Sequence, residues 1–116
     1  MNWNQIRVLI QQRLVALGWT GTPYTAVASK TFLTAVGEKV AHAYVYEWGK
    51  DAPQGSLVGD YWSEGRNCLE PHAVLFPKDS TEEVIRQAVD DFATKVDAVV
   101  SQTYAARLLR QSASPA

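Results

Sequence analysis

The stretch Val40-Ala-His-Ala-Tyr-Val-Tyr-Glu-Trp48 decides the fold, because it can be read as a strand or as part of an Ala-rich helix. Its β-branched and aromatic residues suit a pleated surface better than a helix. The helical alternative rests on a four-residue spacing, shared by Phe32, Val36, Val40 and Tyr44. Gly37 would weaken a helix there but serves a turn. We therefore predict two strands, 31–36 and 40–48, that turn at 37–39, with one helix as the alternative.

The predicted second strand has two very different faces, because side chains alternate along a strand. One face carries Ala41, Ala43 and Val45, and the other carries Val40, His42, Tyr44, Tyr46 and Trp48. If helices cover the alanines, the rings form an aromatic platform on the open face of the sheet. If helices cover the rings, the rings are the core. A platform of this kind can stack bases or sugars, or anchor a protein partner.

A second hairpin is predicted from Ser56–Ser63 and Cys68–Phe76, with Glu64-Gly-Arg-Asn67 as its turn. Glycine and asparagine tolerate the positive φ that such turns require. Tyr61 and Trp62 would then lie one on each face of the first arm. Because Pro71 lacks a backbone N–H, we predict that the second arm is an edge strand or contains a bulge.

Helices are predicted at both ends of the chain. The first runs from about Asn4 to Leu17, because apolar residues recur at three- and four-residue steps, and Gly18 is placed to cap it. Ser80 and Glu83 have the spacing of a capping box for the second helix, which reaches about Arg110. Its length of roughly 45 Å exceeds the roughly 23 Å that strands of about seven residues span.

These elements predict an α+β fold: a two-layer sandwich of helix, four-stranded antiparallel meander and long C-terminal helix. Residues 1–110 would form a single domain and 111–116 a flexible tail. The apolar stripe of the last helix continues beyond the predicted sheet through Val99, Val100, Tyr104 and Leu108. A second copy of the chain could cover this stripe, so we consider a homodimer through the C-terminal helix.

The composition narrows the classes of partner. The net charge is -1, from 11 basic and 12 acidic side chains. This balance supplies no concentrated positive field for phosphates, so it argues against nucleic acid. Cys68 is the sole cysteine, which fits a reducing compartment. With no secretory signal and no apolar run able to span a membrane, we predict a cytoplasmic protein that has no membrane association.

A catalytic site would have to be built around Cys68, Glu70 and His72, which would share one face of the second arm. Residues two apart on a strand are separated by about 7 Å, which is long for a thiol–imidazole hydrogen bond. We therefore interpret them as the polar face of an edge strand. We predict no catalytic residues, no metal site and no cofactor, and keep a small enzyme centred on the Glu64–His72 hairpin as an alternative.

The resulting hypothesis is a small noncatalytic protein-binding module, an adaptor, inhibitor or regulator whose partner the sequence does not identify. Its predicted binding residues lie on the aromatic face and in the second hairpin: Tyr44, Tyr46, Trp48, Tyr61, Trp62, Glu64, Arg66 and Asn67. The alternative is a binder of single-stranded nucleic acid or of a small ligand. That alternative requires arginine and lysine side chains around the aromatic residues.

Overall fold

The computed structural model describes residues 3–34, 37–48, 54–76 and 80–113. Along the chain, one helix precedes and one helix follows the strands, which confirms the predicted α+β class. The elements are α1 (Trp3–Ala16), β1 (Thr20–Gly21), β2 (Ala28–Thr34), β3 (Gly37–Trp48), β4 (Gln54–Asp60), β5 (Trp62–Ser63), β6 (Arg66–Asn67), a 3-10 turn (Glu70–His72), β7 (Val74–Phe76) and α2 (Glu82–Ala113).

The main sheet is antiparallel and has the strand order β1-β2-β3-β4-β7. The strand interpretation of residues 30–48 is confirmed, because β2 pairs with β3 from Ala28 opposite Ala43 to Thr34 opposite Gly37. Residues 37–39 belong to β3 rather than to the turn, and residues 35–36 lie outside the described part. The sheet has five strands instead of the four predicted, because Thr20–Gly21 pairs with the start of β2.

The second hairpin differs from its prediction. Strand β4 ends at Asp60, and the chain then forms a small separate hairpin from β5 and β6. Its turn lies at Glu64 and Gly65, where φ is +56° and +78°, as a type I′ turn requires. Only Val74–Phe76 rejoins the main sheet, as β7 beside β4. Pro71 lies in the 3-10 turn, where its fixed φ and missing N–H are tolerated, which explains why the predicted arm is interrupted.

Both helices pack on the alanine face of β3. Ala41 and Ala43 are fully buried there, in one core cluster with side chains from α1 and α2. The helices contribute Ile6, Ile10, Leu14, Ile85, Val89, Phe92, Val96 and Val100. The small alanine side chains leave room for this close approach of helix to sheet.

Gly59 marks the closest approach between β4 and α2. A Cβ atom added at this position would lie 2.9 Å from both Leu69 Cδ1 and Phe92 Cζ, and 3.1 Å from the His42 carbonyl oxygen. These distances are shorter than van der Waals contact, so Phe92 packs directly on bare backbone. Only glycine fits here without displacing the core.

Helix α2 begins one residue later than the predicted capping box. The Thr81 hydroxyl accepts a hydrogen bond from the Val84 N–H at 3.3 Å. Thr81 is therefore the N-cap, and not Ser80. The buried stripe reaches Val100 and the backbone stays helical to Ala113, so the predicted tail begins inside the helix. The side chains of Tyr104 and Leu108 lie outside the described part. Within that part, neither helix is long and apolar enough to cross a membrane.

An ion pair joins the two helices. Arg13 Nε and Nη2 donate to the two carboxylate oxygens of Asp90 at 2.7 and 3.0 Å. The hydrogen bond from Arg13 is the main cause that lowers the pKa of Asp90 below its ordinary 3.8. The same hydrogen bond raises the pKa of the guanidinium. Lys30 donates to Asp97 at 3.1 Å and joins β2 to α2.

This ion pair predicts an acid-sensitive contribution to stability. Because folding lowers the pKa of Asp90, its stabilising effect is complete above pH 3.8 and is lost as the pH falls through the folded-state value. We expect Asp90→Asn to lower the urea midpoint at pH 7 and to lower it less at pH 3. Asp91→Asn is the control, because Asp91 accepts its hydrogen bond from Gln87 on its own helix. An Asp90→Asn effect of equal size at both pH values would contradict this.

Candidate functional site

Within the described residues, both helices pack on one face of the main sheet, and we call the other face the open face. The strand register assigns to it Thr20, Ser29, Thr31, Leu33, Glu38, Val40, His42, Tyr44, Tyr46, Ser56, Val58, Asp60 and Leu75. The aromatic residues of β3 therefore face away from the helices, as the platform interpretation predicted. Trp48 is the last residue of β3, and its side chain lies outside the described part.

Large apolar side chains are exposed on the open face. Leu33 is 86% exposed, Leu75 62%, Tyr46 51% and Val40 41%. Leu33 and Val40 lie near the β2–β3 connection, whereas Leu75 and Tyr46 lie on the other half of the sheet. A sheet face that contacted only solvent would carry polar side chains at these positions.

Three polar side chains form a hydrogen-bonded cluster between these apolar positions, and we call it the Asp60 cluster. His42 and Asp60 are opposite each other on β3 and β4. The His42 Nδ1–H donates to Asp60 Oδ1 at 2.8 Å, and the Tyr44 hydroxyl donates to Asp60 Oδ2 at 2.9 Å. Burial, and then the hydrogen bond to Asp60, raise the pKa of Tyr44, so its hydroxyl stays a donor.

The rings of His42, Tyr44 and Tyr46 stand in a row along β3. The centroids of His42 and Tyr44 are 6.3 Å apart, and those of Tyr44 and Tyr46 are 6.5 Å apart. The two tyrosine rings are inclined by only 20° to each other. Their hydrogen bonds to Asp60 hold His42 and Tyr44 in place, while the exposed ring of Tyr46 is available for contact.

The Asp60 carboxylate orients the imidazole of His42, as in sites where a histidine acts as a base. In the neutral imidazole with Nδ1–H bound to the carboxylate, Nε2 is the nitrogen with the free lone pair. Ser29 is opposite His42 on β2, so serine, imidazole and carboxylate lie in one row across three strands. Among the described residues no hydrogen bond joins Ser29 to His42. Strand β3 pairs with β2 over Gly37–Ala43 and with β4 over His42–Trp48, so the backbone at His42 and Ala43 is engaged on both sides and offers no N–H pair to an oxyanion beside the imidazole.

The predicted binding residues of the second hairpin are divided between core and surface. Tyr61 lies in the core at 2% exposure, whereas Trp62 is 59% exposed. Glu64 and Arg66 have exposed side chains. Trp62, Glu64 and Arg66 therefore lie where a partner can reach them, and Tyr61 does not.

Asn67 has a structural role that the sequence analysis missed. Its Oδ1 accepts from the N–H groups of Tyr61 and Leu69, both at 3.1 Å, and its Nδ2 donates to the Gly59 carbonyl at 3.2 Å. The side chain thus ties β6 to the end of β4. The asparagine in a turn signalled local hydrogen bonding, but its partners depend on the fold.

The predicted common strand face of Cys68, Glu70 and His72 is wrong. Glu70 and His72 belong to the 3-10 turn, and the Cys68 thiol donates to the Arg66 carbonyl at 3.7 Å. Side chains do not alternate in a 3-10 turn as they do in a strand. Within the described ranges, no three His, Cys, Asp or Glu residues are grouped so that they could hold a metal ion.

Two shallow depressions lie on the helix layer and not on the open face. One, of about 210 Å³, is lined by Arg7, Val8, Gln11, Thr22 and Pro23. The other, of about 170 Å³, is lined by Leu9, Gln12, Arg13, Ala16 and Arg86. Arg13 and Arg86 both already pair with carboxylates, so the second depression offers no unpaired cation.

The position of Asn67 predicts that its loss destabilises the fold more than the loss of its neighbour. Asn67→Ala leaves two N–H groups and one carbonyl without their partner, which we expect to reduce the free energy of unfolding by about 2 to 3 kcal/mol. Arg66→Ala, on the same strand and exposed, should change it by less than about 0.5 kcal/mol. Urea denaturation of both variants measures the difference. Equal effects would show that the Asn67 hydrogen bonds do not support the hairpin.

Known proteins add no functional assignment to this geometry. The open face carries the exposed apolar side chains and the Asp60 cluster, which are the features a function must explain. Comparisons with protein-family models, with curated proteins and with solved structures found no match.

Proposed function

We propose that the protein is a noncatalytic binding module that uses the open face to contact another protein. The observation that carries this proposal is the exposure of Leu33, Val40, Tyr46 and Leu75 on a sheet face that neither described helix covers. Several exposed apolar side chains on one surface are typical of interaction sites. A regulator or adaptor of this kind needs no catalytic residues.

The energetics favour a partner that covers these side chains. Complete burial of one large aliphatic or aromatic side chain contributes about 1.5 to 3 kcal/mol. Leu33 and Leu75 are both mostly exposed, so burying them recovers most of that amount for each. Tyr46 adds a ring with a polar tip, and tyrosine is enriched among the residues that dominate binding energies.

The charges on the open face favour a protein over a nucleic acid. The face carries the carboxylates of Glu38 and Asp60 and, among its described residues, no lysine or arginine. Lys30 and Lys39 alternate to the helix side of the sheet. Nucleic-acid binding through stacked bases requires cations beside the aromatic side chains, and the register places none there.

Variants of the two surfaces test the proposal. We expect Leu33→Ser combined with Tyr46→Ser to weaken capture of specific partners from a cell extract by at least about tenfold, a loss equivalent to about 1.4 kcal/mol. The control is Val8→Ser with Val15→Ser, which removes apolar side chains of 50% and 48% exposure from α1. Quantitative mass spectrometry of the captured proteins measures both. Partners lost with the helix variant and kept with the sheet variant would contradict the proposal.

Self-association through the end of α2 forms a second part of the proposal. The helix continues to Ala113 beyond Val100, its last buried residue among those described. The sequence extends the apolar stripe through Tyr104 and Leu108. We also propose a cytoplasmic location, which the free thiol of Cys68 supports because it fits a reducing compartment.

Native mass spectrometry over a range of concentrations tests the self-association. We expect a dimer that dissociates on dilution, because a single apolar helix end buries less surface than an obligate interface. Tyr104→Ser with Leu108→Ser should shift the equilibrium to monomer. Leu33→Ser, on the open face, is the control and should leave it unchanged. A wild-type monomer at every concentration would overturn self-association and leave the open-face proposal standing.

A further inference from the structure

The Asp60 cluster holds a carboxylate that can accept more hydrogen bonds than it receives. Each carboxylate oxygen accepts one bond, from His42 or Tyr44. An ionised carboxylate has about four acceptor positions. The Asp60 side chain is 21% exposed, so a group from outside can reach the remaining positions.

The negative charge of Asp60 lacks a permanently charged partner. Tyr44 is a neutral donor, and His42 is a cation only when it is protonated. The other carboxylate of the open face is Glu38, and the described residues of this face include no lysine or arginine. The charge that would complement this face is therefore positive.

Aromatic rings beside this carboxylate favour one kind of cation. Tyr44 lies between His42 and the half-exposed Tyr46 in the ring row. A guanidinium can stack on a tyrosine ring and also donate two parallel hydrogen bonds to a carboxylate. An ammonium makes a point contact and is more strongly hydrated. A carboxylate bonded to Tyr44, with the half-exposed ring of Tyr46 next in the row, is therefore better suited to arginine than to lysine.

We propose that the Asp60 cluster and Tyr46 receive an arginine side chain of the protein partner. This inference rests on the proposed function and specifies its chemistry. The guanidinium pairs with the Asp60 carboxylate and stacks on the tyrosine rings. Aliphatic side chains of the same partner cover Leu33 and Leu75. The arginine fixes the orientation of the partner, and the apolar contacts supply the buried surface area.

A small-molecule titration tests the arginine site without knowledge of the partner. The probe is N-acetyl-arginine N-methylamide, added to isotopically labelled full-length protein and followed by NMR. We expect chemical-shift changes centred on residues 42–46 and 58–60. Binding should be at least about fivefold weaker for the citrulline analogue, which has the same shape and no charge, because the charge-assisted hydrogen bond and the cation–π contact are lost.

Two variants and one control make the result specific. Asp60→Asn should reduce arginine binding at least about fivefold. Tyr46→Leu removes an exposed ring without touching the hydrogen bonds of the cluster, and should weaken binding about two- to fivefold. Asp91→Asn, on the exposed side of α2, should have no effect. The NMR spectra of the unbound variants report whether each is folded.

Other outcomes overturn the inference. Equal shifts with the citrulline analogue, absence of shifts on the open face, or shifts centred on the acidic first turn of α2 would show that the site does not recognise arginine. If partner capture still depends on Leu33 and Tyr46, the open face binds proteins by another chemistry. If that dependence fails as well, the proposed function is wrong too.

Discussion

The burial of Ala41 and Ala43 under two helices is the contact on which the rest of the structure depends. Because these side chains are small, the core formed by α1 and α2 can approach the centre of the sheet closely. The strand alternates, so covering its alanines exposes the rings on the other side. One choice of buried face thereby creates both the hydrophobic core and the surface for which a function is proposed.

The sequence contains enough information for the class of fold and for most of its elements. The β-branched and aromatic content of Val40–Trp48 correctly indicated a strand, and the periodicity of both helices was clear. Strand boundaries were predicted less well. Pro71 signalled an interruption, and the antiparallel pairing of β7 with β4 agrees with the predicted second hairpin, but the separate hairpin of β5 and β6 was not predicted.

The candidate site was predictable in part. Alternation along β3 placed Tyr44 and Tyr46 on one face from sequence alone, but it could not decide which face the helices cover. The Asp60 cluster was missed because it depends on the β3–β4 register, which places Asp60 opposite His42. A shift of one residue in that register would send Asp60 to the core side. The role of Asn67 depends on where β4 ends, because its side chain bonds the backbone of Gly59 and Tyr61.

The tripeptide Gly59-Asp60-Tyr61 contributes both to the core and to the open face. Gly59 admits Phe92 to the sheet, Asp60 faces outward beside His42, and Tyr61 fills the core. Asn67 binds the backbone of both the first and the third of these residues. In a distant relative, Gly-Asp-Tyr followed by an asparagine at the position of Asn67 would identify this arrangement more specifically than overall sequence identity. Natural variation at these positions should then be correlated rather than independent.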